Sequence, residues 1–123
     1  MMTETFDGID ETVVLDEQDQ KIRDLNDQFR KTFIGGTVLL TRGVDGLGDE
    51  TKRKVLAAIC EFDNFTQDND PYGTHEFGGV EIDGKRVWFK IDCYDKNHEY
   101  GSPDPSDPAV TARVLTILFP EEY

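Results

Sequence analysis

Two alternating runs joined by Asp83-Gly84 constrain this chain more than any other feature of it. A two-residue connection between strands takes positive φ at both positions, and Asp and Gly tolerate that conformation. Residues 76–82 and 85–94 are therefore predicted to form a β-hairpin. Side chains alternate across a strand, so the second run has two faces. Val87, Phe89, Ile91 and Cys93 point one way, as a core beneath helices requires. Trp88, Lys90, Asp92 and Tyr94 point the other, a mixture of aromatics and charges suited to the open side of a sheet.

The flanking segments supply those helices. In residues 19–33, Ile22, Leu25, Phe29 and Phe33 recur at spacings of three and four and make one apolar stripe. Asp16 or Asp19 is placed to cap the start, and Gly35-Gly36 to stop the helix. Residues 37–41 are β-branched and apolar and read as a strand, and residues 42–48 as a loop holding Gly43, Gly46 and Gly48. Asp49 is placed to cap a second helix running to about Phe65, with Val55, Ala58, Ile59, Phe62 and Phe65 on its buried face. A polar loop around Asp70-Pro71 precedes the hairpin, and a loop over residues 95–108 with Pro103, Pro105 and Pro108 follows it. Residues 110–119 read as a strand, against a helix starting at Pro108, since Pro suits a first helical position.

The expected fold is α+β: two helices packed on one face of an antiparallel sheet of about four strands, the hairpin and the last strand forming a meander. Residues 19–123 form one domain. Residues 1–18 carry acidic but no basic side chains and are expected to be a mobile segment, with a short edge strand at residues 12–15.

Charge narrows the partners. Asp and Glu outnumber Lys and Arg 26 to 13, a formal net charge of −13. Nucleic-acid binding draws on Lys and Arg to displace condensed counterions, and Lys52-Arg53-Lys54 is a solvated helical turn rather than such a patch. Direct nucleic-acid contact and anionic membranes are disfavoured, and a basic protein partner is favoured. Cys60 and Cys93 fall at apolar positions and read as reduced core residues of a cytoplasmic protein. No apolar run is long enough for a membrane span and no secretory leader pattern is present.

Chemistry-bearing residues concentrate in two places. Asp68, Asp70, Tyr72 and His75 stand in the polar loop, which starts with the spacing of a calcium loop. The match fails at Tyr72 and at Gly79, where a bidentate Glu belongs, so the loop reads as an Asx-rich turn. His75 with Asp70 is a candidate acid–base pair. Trp88, Lys90, Asp92 and Tyr94, with Asp95 at the strand end, resemble the aromatic and charged centre of a protein interface. No phosphate loop, nucleophile elbow or dinucleotide fingerprint is present, so no cofactor is expected.

Ordered blocks of the chain also resemble a known family. They are Leu25-Asn26-Asp27-Gln28-Phe29-Arg30, Leu40-Thr41-Arg42-Gly43, Asp68-Asn69-Asp70-Pro71-Tyr72-Gly73, Lys90-Ile91-Asp92, Tyr94-Asp95, Gly101-Ser102-Pro103-Asp104-Pro105, Arg113-Val114-Leu115-Thr116-Ile117 and Glu122-Tyr123. Across roughly residues 20 to 123 they resemble the uncharacterised bacterial domain of unknown function thirty-seven sixty-eight. The departures are Thr74, where that family usually has an acidic residue, and Cys93, where it has Tyr. The resemblance implies a cytosolic bacterial protein, mainly alphaproteobacterial and often associated with plasmids and other mobile elements. It implies no activity.

Two functions follow as expectations. The first is a non-catalytic acidic protein-binding module, in its sharper form an inhibitor of the anti-restriction or anti-CRISPR type that mimics nucleic acid. Its contact residues would be Asp68, Asp70, Tyr72, His75, Trp88, Lys90, Asp92, Tyr94 and Asp95. The alternative is a small metal-dependent hydrolase or nuclease using Asp68, Asp70, His75 and Asp92 around a divalent ion.

Overall fold

The computed structural model describes residues 15–123. All but Leu15 of the strand expected at residues 12–15, and most of the acidic N-terminal segment, lie outside the described residues.

Helix α1 spans Glu17–Thr32. It starts two residues before the pattern predicts, because the Asp16 carboxylate accepts the Asp19 amide at 2.7 Å and so satisfies an N–H the helix cannot. It ends not at a glycine but at Phe33, whose φ is 60° and whose N–H donates to the Phe29 carbonyl. Phe33 takes this left-handed position with its side chain packed against the core. Gly36 matters for a different reason. A Cβ there would lie 2.5 Å from the Arg113 carbonyl oxygen and 2.7 Å from the Phe29 ring, so only glycine lets β1 (Thr37–Leu40) leave under the helix.

The glycine-bearing segment after β1 is more ordered than a loop. Arg42–Asp45 makes one helical turn, α2, which buries Val44 completely. Glu122 holds it from the other end of the chain. Its carboxylate accepts the Thr41 hydroxyl at 2.6 Å, the Gly43 amide at 2.9 Å and the Phe119 amide at 2.8 Å. Helix α3, Asp49–Glu61, follows with Gly48 rather than Asp49 at the cap position. Asp49 and Glu50 then lie in the first turn, where they face the positive end of the helix dipole. The helix stops at Glu61, short of Phe65. Phe62 turns extended so that its ring meets Phe65 and Phe89 edge-on at 4.8 Å and 5.3 Å.

β2 (Phe77–Ile82) and β3 (Lys85–Tyr94) form the expected hairpin, with Asp83 and Gly84 both at positive φ. Pro108–Val110 is a short 3-10 turn, and β4 (Ala112–Leu118) is a strand from there on. Proline thus opens a helical turn, and the β-branched run then wins. The four strands lie in the order β1-β4-β3-β2. β2, β3 and β4 make the antiparallel meander, while β1 pairs with β4 in parallel, so the sheet is mixed but mostly antiparallel. The class is α+β.

Phe29, Val44, Val55, Ile59, Val87, Phe89, Ile91, Leu115 and Ile117 form the buried cluster between the helices and one sheet face. Cys60 and Cys93 are free and half-buried, and burial pushes both thiols above their usual range. Among the described residues no helix is long and apolar enough to cross a membrane.

The Glu122 clasp carries a pH signature. The Thr41 hydroxyl, and then the Phe119 and Gly43 amides, hold its carboxyl below the usual glutamate range. A carboxylate depressed in the fold adds stability above its ordinary range and loses that stability as pH falls through the folded value. Thermal melts taken from neutral to acid pH should show Glu122→Gln less stable than the parent at neutral pH. The gap should close at the acid end; a constant gap would mean the charge plays no part.

Candidate functional site

The predicted residues separate into two places on opposite sides of the sheet. The first lies on the helix side, where α1 meets the loop before β2. That loop is an Asx-rich turn, as its composition suggests. Asn69 accepts the Thr66 amide at 3.1 Å and donates to the Asn64 carbonyl at 3.1 Å, and the Asp70 carboxylate accepts the His75 amide at 3.0 Å. Asp70 is 7% exposed, so its carboxylate is committed to the turn. Asp68 and Tyr72 stay on the exposed rim.

His75 sits at a strained backbone position, with φ of 62°. Its ring compensates with three contacts. It stacks on Phe65 at 3.7 Å with the planes 4° apart. Nδ1 lies 2.8 Å and 3.0 Å from the two Asp27 oxygens, and Nε2 lies 3.6 Å from Asp70. The imidazole is therefore a clasp between α1 and the turn, held by a carboxylate on each side.

Asp27 was not among the residues expected here. It belongs to a polar stripe on α1 beside the apolar one: Arg23, Asn26, Asp27 and Arg30. The Arg23 guanidinium donates to the Gly73 carbonyl at 2.8 Å. Asn26, fully buried, donates to the Thr74 carbonyl at 2.9 Å and accepts from Arg113 Nε at 2.8 Å. Arg30, 1% exposed, pairs with Asp27 at 2.9 Å and donates to the carbonyls of Ile59 at 3.2 Å and Phe62 at 3.0 Å. The available signal was four polar residues at helical spacing on a face that also has to pack.

The second place is the opposite sheet face. Trp88, Lys90, Asp92 and Tyr94 point away from the helices, alternating with Val87, Phe89 and Ile91 in the core. The register sets Lys90 beside Phe77 and Thr116, and Asp92 beside Val114. The Trp88 ring meets Phe77 at 5.2 Å and Tyr123 at 5.9 Å, both edge-on, so three aromatics run in a row. Lys90 forms an ion pair with Asp92. The hydrogen bond to Asp92 holds the Lys90 ammonium above the usual lysine range, against the opposing effect of burial. Asp95 differs from its neighbours: its carboxylate accepts the Glu99 amide at 2.9 Å and so shapes the turn after β3. His98, exposed in that turn, lies near the Tyr94 ring.

The grouping Asp68, Asp70, His75 and Asp92 is thus not brought together. Asp92 lies across the sheet from His75, and Asp68 stays on the rim of the turn. Among the described residues no three His, Cys, Asp or Glu side chains are placed to hold a metal ion.

Residues 40–122 match the family described as "Protein of unknown function (DUF3768)". No curated protein and no solved structure matches the chain.

The helix-side junction makes a measurable demand. Truncating Asn26 leaves the Thr74 carbonyl and Arg113 Nε without their buried partner, so Asn26→Ala should cost about 2–4 kcal/mol in denaturant unfolding. Gln20→Ala, which removes an exposed bond to Asp24, should cost less than about 0.5 kcal/mol.

Proposed function

The chain belongs to the DUF3768 family of proteins of unknown function, and we propose that it is a non-catalytic, acidic protein-binding module that works through the open face of its sheet. The observation that carries this reading is the face itself. The helices cover one side of the sheet; on the other, half-buried Phe77 and Trp88 and exposed Tyr123 form a row beside the half-buried Lys90–Asp92 pair. Rigid aromatics flanked by a few charges are the usual energetic centre of a protein interface.

The partner in this reading is a basic, nucleic-acid-binding protein. The chain carries a net charge of −13, which attracts such a surface and repels nucleic acid. By occupying a surface built for phosphates, the module acts as an inhibitor of the anti-restriction or anti-CRISPR type. A cytoplasmic location in a bacterium and carriage on mobile elements belong to the same proposal.

The test is capture from a nuclease-treated bacterial lysate at low and moderate salt, with duplex DNA as competitor. A basic partner that is displaced by the duplex and weakened by salt is the expected result. Trp88→Ala should weaken that complex by about 2 kcal/mol, and Asp92→Lys should slow its association. Asp95 is left intact because it shapes its own turn. A partner held equally well by both variants, or indifferent to the duplex, would sink the reading.

A further inference from the structure

Helix α1 and the loop carrying Pro108 leave a groove between them, remote from the open sheet face. One stretch of it, about 230 Å³, is lined by Leu25, Phe29 and Ile34 and by Gln28, Lys96 and Arg113. It continues past Leu25 and Pro108 into a second hollow of about 350 Å³ beside Lys21, Asp24 and Ser106.

Arg113 is the unusual member. It is 4% exposed. Its Nε donates to Asn26 Oδ1 at 2.8 Å and its Nη2 to the Pro105 carbonyl at 2.6 Å, both neutral acceptors. No described residue bonds to Nη1. The ion pairs among the described residues engage Arg30, Lys52, Lys54, His75 and Lys90, and none engages Arg113 or Lys96. A buried cation without a carboxylate is costly, and burial works against the charge of this one. In a chain so rich in acid, a buried guanidinium and a lysine facing a stretch of groove whose described lining holds no carboxylate form a local inversion of the surface field.

We propose that this groove binds a small amphipathic carboxylate. The head sits between Arg113 Nη1 and Lys96, and the tail lies on Leu25, Phe29 and Ile34. Two of the five guanidinium donors are already taken, and the two on Nη1 remain for the oxygens of a carboxylate. The apolar lining asks for a tail, which an inorganic oxyanion lacks. The volume suits a molecule of amino-acid size rather than a macromolecule.

The experiment titrates the full chain, labelled with nitrogen-15, with hexanoate, its neutral counterpart hexanamide, and inorganic phosphate, following amide resonances. Hexanoate should move the signals of Gln28, Ile34, Lys96 and Thr111 with millimolar affinity, as expected for so small a ligand, and hexanamide should bind about tenfold more weakly. Arg113 also holds Asn26 and Pro105, so its removal risks the fold. Lys96→Glu carries the test instead: it should weaken hexanoate about tenfold and leave hexanamide unchanged. Equal binding of acid and amide, indifference to Lys96→Glu, shifts elsewhere, or phosphate binding as tightly as hexanoate would each overturn the proposal. So would an absence of binding to the parent chain. None of these outcomes depends on the open-face reading.

Discussion

The fold depends on side chains of α1 that satisfy backbone carbonyls belonging to other elements. Helix α3 ends without a basic residue in its last turn, which leaves its negative pole and terminal carbonyls uncompensated. Arg30 reaches across from α1 and donates to Ile59 and Phe62, the last turn and the C-cap of α3. One guanidinium therefore caps a neighbouring helix, pairs with Asp27 and lies 5.1 Å from the centre of the Phe65 ring. Asn26 does the equivalent for the turn before β2 and ties it, through Arg113, to β4. No buried side-chain polar atom among the described residues lacks a partner. A half-satisfied junction of this kind would be worse than an apolar one, so the network stands or falls as a unit.

That dependence explains the strain at His75. A β-hairpin entered from a turn packed under two helices has little freedom in its last residue, and here the backbone goes left-handed at a histidine. The cost of order 1 kcal/mol is offset by the Phe65 stack and the two flanking carboxylates. The same residues that make His75 resemble a catalytic base account for its position structurally. A carboxylate–imidazole pair is needed here to join α1 to the turn, whatever else it does.

The parts of this architecture legible in the sequence were those with a local cause. The hairpin was legible because Asp83-Gly84 admits only a narrow set of turns, and the sidedness of β3 because side-chain alternation is geometric. The apolar stripe of α1 and the Asx turn were legible for the same reason. Elements whose cause lies far along the chain were not. Val44 folds into a helical turn because Glu122, 79 positions from Gly43, reaches its amide. α3 ends early because Phe62 is wanted by Phe89. β1 lies parallel to β4 because Gly36 lets it pass beneath Phe29, which no periodicity shows. At the candidate site, Asp70 and His75 were visible as a dense polar loop. Asp27 and Asn26 were hidden in a helix whose apolar stripe already explained it. Asp92 was grouped with His75 on composition, and strand parity puts the sheet between them.

The charge of the surface is sharper than composition alone implies. Arg23, Arg30 and Arg113 turn donors inward, onto the carbonyls of Gly73, Ile59, Phe62 and Pro105. Of these three, only Arg30 is paired with a carboxylate among the described residues. The interior thus draws on basic residues that would otherwise neutralise the exterior, and the solvent-facing acids keep their field. For the basic partner proposed above, a net charge of −13 gives attraction without direction. It cannot by itself choose a docking face, so orientation has to come from shape and from uncharged contacts. The aromatic row on the open sheet face supplies such contacts. The groove at Arg113 and Lys96 is where the same economy of charge runs the other way, with two cations facing a stretch of cavity whose described lining holds no carboxylate. The groove follows from the placing of Arg113 to hold Asn26 and the Pro105 carbonyl rather than an acid.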